Sequence, residues 1–293
     1  MTTQQSTLRL GVAFTPDVAP ERLRSLVTAA ENAGLDDFWV WEDCFKQSGV
    51  AAAGAALAWT ERIRVGIGLL PVPLRNVALT AMEIATLDRM FPGRLLTGVG
   101  HGVQSWMGQA GVRAASPLTL LREYTVALRQ LLAGAEVTTS GRYVTLDGVR
   151  LDWPPEGQVP LFLGGAGPKA LALAGELGDG TLLGNGLDRD EIAAACRTAI
   201  GPDPDRTHPV VVTVIAATGD HAEERLAREL GRWGATSGHG VGAAGSADTI
   251  AAHLRSLPEV GITTVVVQPT QDEPDLEAFV RFLGTEVRPL LQP

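Results

Sequence analysis

The sequence predicts an α/β chain whose parallel strands close into one (β/α)8 barrel. Three observations carry that expectation. Strand-like and helix-like segments alternate, and the strand count reaches eight. No linker rich in Pro, Gly or Ser divides the chain, so residues 1–293 read as one barrel domain. With 293 residues, 45% of them hydrophobic, the chain can bury a large core, and barrels of this size are often single domains. The competing architecture is a doubly wound open sheet with a second, small domain.

The elements follow in order. Residues 7–14, TLRLGVAF, form the first strand candidate, and 20–34 an amphipathic helix closed by Gly34 as its C′ glycine. The second strand is read over 36–45, DDFWVWEDCF, followed by an alanine-rich helix over 49–60. The third strand covers 63–70, IRVGIGLL, and the next helix 76–91. The fourth strand lies within 92–102, PGRLLTGVGHG. A second strongly amphipathic helix covers 116–134, with Ser116 at its N-cap and Pro117 at its first helical position. The rhythm then breaks. Residues 135–158 carry β-branched residues around the turn signals SGR and LDG, which predicts a hairpin or extended insertion after the fourth βα unit. Alternation resumes with strand five (159–165), helix (167–178), strand six (179–185), helix (188–200), strand seven (208–218) and helix (219–234). An added helical stretch over 246–261, capped by Ser246, precedes strand eight (262–270) and a closing helix (272–290). No repeat of 20–50 residues with a shared motif stands out.

Composition narrows the function. The formal net charge is −9, which argues against nucleic acid or an anionic membrane as partner. The first residues lack a basic segment ahead of a long apolar run, and no uncharged apolar stretch is long enough to span a bilayer. Cys44 and Cys196 make neither a disulfide framework nor a CxxC site, so a cytoplasmic location is the default expectation.

Function in such a barrel sits at the C-terminal ends of the strands. That rule selects Phe14, Thr15 and Asp17 after the first strand, Trp41, Glu42, Asp43 and Cys44 after the second, and Gly68, Leu69 and Leu70 after the third. The fourth supplies Gly100, His101 and Gly102, with Gln104 and Trp106 just beyond. The fifth supplies Gly164, Gly165 and the loop into Lys169, the sixth Gly184 and Asn185, and the eighth Gln268 and Thr270. Glycine and aromatic groups dominate this rim. That composition suits a slot for a planar cofactor better than a hydrolytic site. No GxSxG, HExxH, P-loop or metal-spaced His/Cys set is present, and GVGHG does not match the dinucleotide fingerprint.

Individual residues keep two readings. In GGAGPKALALAG, Pro168 fits the first helical position, and free amides around Gly167, Lys169 and Ala170 would face the strand end. A helix N-terminus with a nearby lysine makes a phosphate site; the plain alternative is a helix start with a solvent-facing lysine. His101 is either an acid/base group or ligand hydrogen-bonder, or a structural loop histidine. Only one of Glu42 and Asp43 can point inward along an extended strand. Cys44 has no visible base partner and is expected to line a pocket with Phe14, Trp41 and Trp106.

Taken together, GPKALALAGELGDGTLL, ATLDRMFPGRLLTGVGHG and SPLTLLREYTVALRQLLAG resemble the luciferase-like superfamily of flavin- and deazaflavin-dependent oxidoreductases. The nearest branch is the coenzyme F420-dependent one typified by methylenetetrahydromethanopterin reductase. The resemblance implies a TIM barrel with an insertion after the fourth βα unit, commonly a homodimer, acting on a small organic substrate. It implies that Gly164, Gly165, Gly167, Pro168 and Lys169 hold the cofactor tail phosphate, with Gly184 and Asn185 nearby. Gly100 and His101 would lie against the cofactor, and Gly68–Leu69 would form a non-prolyl cis peptide behind its ring. Asp43 matches the aspartate of the family's aspartate–histidine pair, whereas Cys44 stands where many members have histidine. Val103 replaces a glutamate, and GLLPVPLR departs from the usual G-x-T-N-P while keeping Arg75. The implied reaction is hydride transfer between F420 and an organic carbon, with Asp43, His101 or water moving the proton. The alternatives are an FMN-dependent monooxygenase of the same superfamily and a non-catalytic barrel that binds a flavin-like ligand.

Overall fold

The structure is a computed structural model that describes residues 8–203, 206–235 and 241–291. Its strands, in chain order, are β1 (Arg9–Phe14), β2 (Asp37–Val40), β3 (Arg64–Pro71), β4 (Leu95–Gly100), β5 (Val137–Ser140), β6 (Thr145–Val149), β7 (Leu161–Gly164), β8 (Gly180–Leu183), β9 (Val210–Ala217), β10 (Gly242–Ala244) and β11 (Thr264–Pro269). Eight of them, in the order β11–β1–β2–β3–β4–β7–β8–β9, pair in parallel, and pairing of β9 with β11 closes the ring. The closure excludes the open doubly wound sheet. Flanking helices are α1 (Leu23–Asn32), α2 (Gly49–Ala58), α3 (Val77–Met90), α4 (Gln104–Gln109), α5 (Pro117–Leu132), α6 (Pro168–Leu177), α7 (Arg189–Ile200), α8 (Ala222–Arg232), α9 (Ala247–Arg255) and α10 (Leu276–Phe282). Among the described residues no helix is long and apolar enough to cross a membrane.

Strand alternation splits the core into two layers. Ala13, Trp39, Leu96, Phe162, Leu182, Val211 and Val266 fill the barrel interior, while a larger cluster joins the outer strand faces to the helices. Trp39 is the largest interior filler. A Cβ on Gly66 would stand 2.3 Å from its indole, so that glycine is demanded by packing. At the N-terminal end, fully buried Asp37 accepts from Arg9 Nη2 at 3.2 Å and from Arg64 Nε and Nη2 at 2.7 and 3.0 Å. This arrangement compensates a buried carboxylate and belongs to the face of the barrel that carries stability.

The insertion is a two-stranded antiparallel hairpin, β5–β6, between α5 and β7. Glu123 on α5 docks it by accepting from the amides of Arg142, Tyr143 and Val144 at 2.9, 2.8 and 3.1 Å. Several expectations shift. The second strand ends at Val40, so Trp41–Cys44 lie in a loop. Ser116 occupies the N-cap of α5 but bonds Thr119 Oγ1 at 2.8 Å and caps no amide, whereas Ser246 caps Thr249. Short α4 and three-residue β10 escaped the sequence reading because each is too brief to show a period. β10 pairs with β9 at Ile215–Ala217, on the edge that β8 uses only at Val210–Val212. It thereby covers a strand edge left open at the rim.

Candidate active site

The loop after β2 sorts its two acids. Glu42 accepts from the Gly49 amide at 2.8 Å and from both terminal nitrogens of Arg75, whose Nε faces Glu83 Oε2 at 3.3 Å. That last contact is an ion pair without hydrogen-bond alignment. Glu42 is therefore a tether between loop and helices. Asp43 is freer, with Lys46 Nζ 4.0 Å away and itself closer to Asp17 at 2.7 Å. Burial raises the Asp43 carboxyl above the usual carboxylate range; Lys46 pulls it down and Asp17 pushes it up. Burial also pushes the Cys44 thiol up, and the Asp43 and Glu42 carboxylates add to it. A buried thiol held in its protonated form is pocket or core material, not a nucleophile.

His101 follows β4 directly. Its Nδ1 lies 3.0 Å from the Gly102 carbonyl oxygen, which can only accept. Nδ1 therefore carries the proton, and in the neutral ring Nε2 keeps its lone pair. Gln104 Nε2 donates to the carbonyls of His101 and Gly102 at 3.0 and 3.3 Å and fixes this turn. Gly102 has φ +66°, and a Cβ there would meet Pro71 Cβ at 2.9 Å. Trp106 sits partly exposed on α4, next to fully buried Met107.

The Gly68–Leu69 peptide is cis, and the β3–β4 register breaks between Ile67 and Leu70. The Leu69 side chain rests on the barrel interior and lies over Gly100 and Gly164, which pair across β4 and β7. Cβ atoms on these glycines would stand 2.7 and 2.3 Å from Leu69 Cδ2. Their bareness is thus required by Leu69, whatever else their backbone contacts. Gly165 is likewise a packing glycine, since its Cβ would meet Ala170 Cβ at 2.4 Å.

Gly167 and Gly184 behave differently, for a Cβ on either meets nothing within 4 Å among the described residues beyond its chain neighbours. They are exposed and lie just beyond the ends of β7 and β8, which pair in the barrel. Pro168 is the first residue of α6, as its ring requires, and Gly167 caps the helix without a side chain. The Ala170 and Leu171 amides are taken by the Gly167 carbonyl at 2.9 and 3.0 Å, so Ala170 is not a free donor. Among the described residues the Gly167 and Lys169 amides have no partner, and the exposed Lys169 ammonium makes no ion pair. The group fits a phosphate: two amides, a helix N-terminus, a cation and no side chain in the way. Asn185 stands beside it, donating to Gln268 Oε1 at 2.6 Å.

Phe14 is not at the mouth. Ala13 takes the inward position on β1, so Phe14 faces outward, stacks on Phe38 with centroids 6.1 Å apart, and borders a small apolar void with Leu26 and Phe279. That void lies between barrel and helices and is not the candidate site.

Sequence reasoning placed α8 within 219–234 but missed the two buried charges on it. Arg225 and Glu229, one turn apart, are both buried. Arg225 donates to Thr218 O, Thr270 Oγ1, Asp272 and Glu273 and holds the loop after β11. Glu229 accepts from Trp233 Nε1 at 3.0 Å, Arg232 Nη1 at 3.0 Å, the Gln271 amide at 3.1 Å and Gln268 Nε2 at 3.4 Å. Charges at positions 225 and 229, in step with buried Ala222 and Leu230, are the signal that could have exposed this rim network.

Comparison with known proteins follows the same geometry. A family model described as Luciferase-like monooxygenase matches residues 2–257. The chain is 30% identical over 230 residues to a 5,10-methylenetetrahydromethanopterin reductase of Methanolobus tindarius, covering 76% of this chain and 70% of the relative. Its fold is similar to the coenzyme F420 dependent tetrahydromethanopterin reductase of Methanopyrus kandleri, with TM-score 0.81, 21% identity and coverage of 97% and 99%. It is also similar to an F420-dependent secondary alcohol dehydrogenase in complex with an F420-acetone adduct, with TM-score 0.83, 22% identity and coverage of 98% and 100%.

Proposed function

The chain belongs to the luciferase-like monooxygenase family, in the branch related to the methylenetetrahydromethanopterin reductases, and on that premise we propose that it is an oxidoreductase that uses coenzyme F420 on a small organic substrate. The observation that supports the reading is the start of α6 beside the exposed Gly167 and Gly184, where the Gly167 and Lys169 amides and the Lys169 ammonium have no partner among the described residues, across the barrel mouth from the β2 loop.

In this reading the Gly167 and Lys169 amides and the Lys169 ammonium hold the phosphate of the cofactor tail. Leu69 supports the ring system from the barrel side. When bound, the deazaflavin supplies a carbon that gives or takes a hydride. His101 Nε2 accepts the proton of a substrate hydroxyl, or returns one, while Gly102 and Gln104 hold the imidazole in place. Asp43 sets the charge of the opposite wall and is the second proton carrier. Trp41 and the side chains around it limit water at the reacting carbon. Cys44 takes no chemical part, because its thiol stays protonated.

The deciding experiment is a titration of the full chain with F420 and with FMN, read by fluorescence. Micromolar or tighter binding of F420 with weaker FMN binding is expected. Tight FMN binding without F420 binding moves the chain to the monooxygenase reading that its family description favours. Binding of neither leaves the non-catalytic reading. The expected homodimer is checked separately by sedimentation.

A further inference from the structure

Trp233 ends α8 and packs edge-on against Trp41, with ring centroids 6.1 Å apart and planes at 85°. Trp41 follows β2. The same segment reaches the other way, since a Cβ on Gly186, after β8, would meet Ala235 Cβ at 3.6 Å and Trp233 Cβ at 4.0 Å. β2 and β8 stand opposite each other in the eight-stranded ring. Residues 233–235 therefore bridge the mouth from one side to the other, with the indole held to Glu229 by its Nε1–H at 3.0 Å. Below, Trp41 and Leu69 both rest on the interior layer. Trp233 keeps 44% of its surface exposed, so the wall is unfinished apolar surface and not closed core.

The charges tied to this wall give it a sign. Arg232 contacts Glu229 at 3.0 Å and Asp17 at 3.7 Å, and Lys46 contacts Asp17 at 2.7 Å and Asp43 at 4.0 Å. Three carboxylates, Asp17, Asp43 and Glu229, thus face two cations that are already paired. An anionic group here would meet net negative charge and, among the described residues, no spare donor cation. Two indoles offer flat apolar area instead.

We propose that Trp41 and Trp233 wall the substrate subsite, on the far side of the cofactor ring from Leu69, and that it selects an uncharged ring-sized alcohol or carbonyl compound over phosphorylated or carboxylated ones. The assignment rests on the proposed function, which puts the cofactor tail at the start of α6 and leaves this side to the substrate. Trp233 is then a specificity-determining residue. Glu229 is a positioning residue that acts through it.

The test uses the full chain loaded with oxidised F420, so that a ketone probe is bound but not reduced. Cyclohexanone, acetophenone and D-glucose 6-phosphate are titrated by calorimetry against the wild type, Trp233→Ala and Trp233→Phe. The two ketones are expected to bind the wild type, at least tenfold more weakly to Trp233→Ala, and within about threefold of wild type to Trp233→Phe, with F420 affinity equal in all three. Glucose 6-phosphate is expected not to bind. Failure of both ketones to bind, ketone affinity unchanged by Trp233→Ala, or glucose 6-phosphate binding as tightly as the ketones overturns the subsite. Failure of the wild type to bind F420 overturns the proposed function instead. In that case the ketone titrations on the cofactor-free chain still decide the wall.

Discussion

Leu69 Cδ2 lies 2.3 Å from the place where a Cβ on Gly164 would stand. The two residues come from β3 and β7, and β4 between them is bare at Gly100 for the same reason. The floor of the mouth is therefore one leucine lying across two glycines. Gly164→Ala would displace the end of a flexible side chain, not backbone. The variant is expected to fold, with a melting temperature within a few degrees of wild type, and to bind F420 about tenfold more weakly because Leu69 is lifted into the ring position. Gly175→Ala is the contrast. Its Cβ would fall 2.1 Å from the Ala199 carbonyl oxygen, where α6 and α7 touch, so thermal melts should show a loss of about 1–3 kcal/mol. Equal melting temperatures for the two variants would refute the distinction.

Lys169→Ala should weaken cofactor binding about tenfold, the effect of losing one partly solvated charge contact to phosphate. The side chain is exposed and makes no ion pair among the described residues, so the melting temperature should not change. The same titration in rising salt should show a shallower loss of affinity for the variant than for wild type. Unchanged affinity removes Lys169 from the site.

The sequence showed the barrel because strand and helix periods survive in each long segment. It also showed which residues gather at the C-terminal ends of the strands, because the glycine-rich strand ends are local features. It could not assign the glycines. Gly164 and Gly167 look alike in GGAGPK, yet one is filled by a residue 95 positions earlier and the other faces open space. Phe14 was misjudged for a related reason, since the last residue of a strand faces in or out according to a register set by its neighbours. The α8 network was hard to read because only the phase of two charges marks it locally, while the partners that make them buriable lie far along the chain. Arg225 meets its carboxylates 47 and 48 residues downstream.

Asp43 gives a pH prediction. Burial raises its carboxyl and Lys46 pulls it down. Removing the ammonium in Lys46→Met therefore raises the carboxyl further. If Asp43 works as the carboxylate, the acid limb of kcat/KM must move to higher pH in this variant, while rates well above the limb stay near wild type. An acid limb that does not move excludes Asp43 from the rate-controlling ionisation.

Glu229→Gln tests the rim network. Glutamine keeps the volume and one acceptor but loses the charge that faces Arg232 and the second oxygen that serves the Gln271 amide. A loss of about 2 kcal/mol in denaturant unfolding is expected, at the low end for a buried pair because Arg232 is partly exposed. Glu229→Leu, which removes both acceptors, should also release Trp233 from its fixed contact, seen as a red shift of tryptophan emission that Trp233→Phe/Glu229→Leu lacks. Emission identical to wild type would mean that the Nε1 bond does not hold the indole.

Two histidines, buried His208 and half-buried His253, set the pH dependence of stability near neutrality. His208 Nε2 lies 2.9 Å from Thr181 Oγ1, and its Nδ1 faces Arg206 Nη2 at 3.4 Å. A guanidinium can only donate, so Nδ1 is the acceptor and the ring is neutral with its proton on Nε2. Burial lowers the His208 pKa and Arg206 lowers it further, while Asp179 opposes; burial alone lowers that of His253. Below the ordinary histidine value of about 6.5 the unfolded chain binds these protons first, so stability falls as pH drops through that point and levels off below the folded values. Above it both states are neutral and the histidines contribute no slope. Acidic groups held down by partners, such as Asp272 at about 2, lose their contribution only at much lower pH. Thermal melts between pH 5 and 8 should therefore show a fall confined to the acid side, and His208→Gln, which keeps an amide able to donate to Thr181, should flatten it. A fall of the same steepness in that variant would assign the slope to other groups.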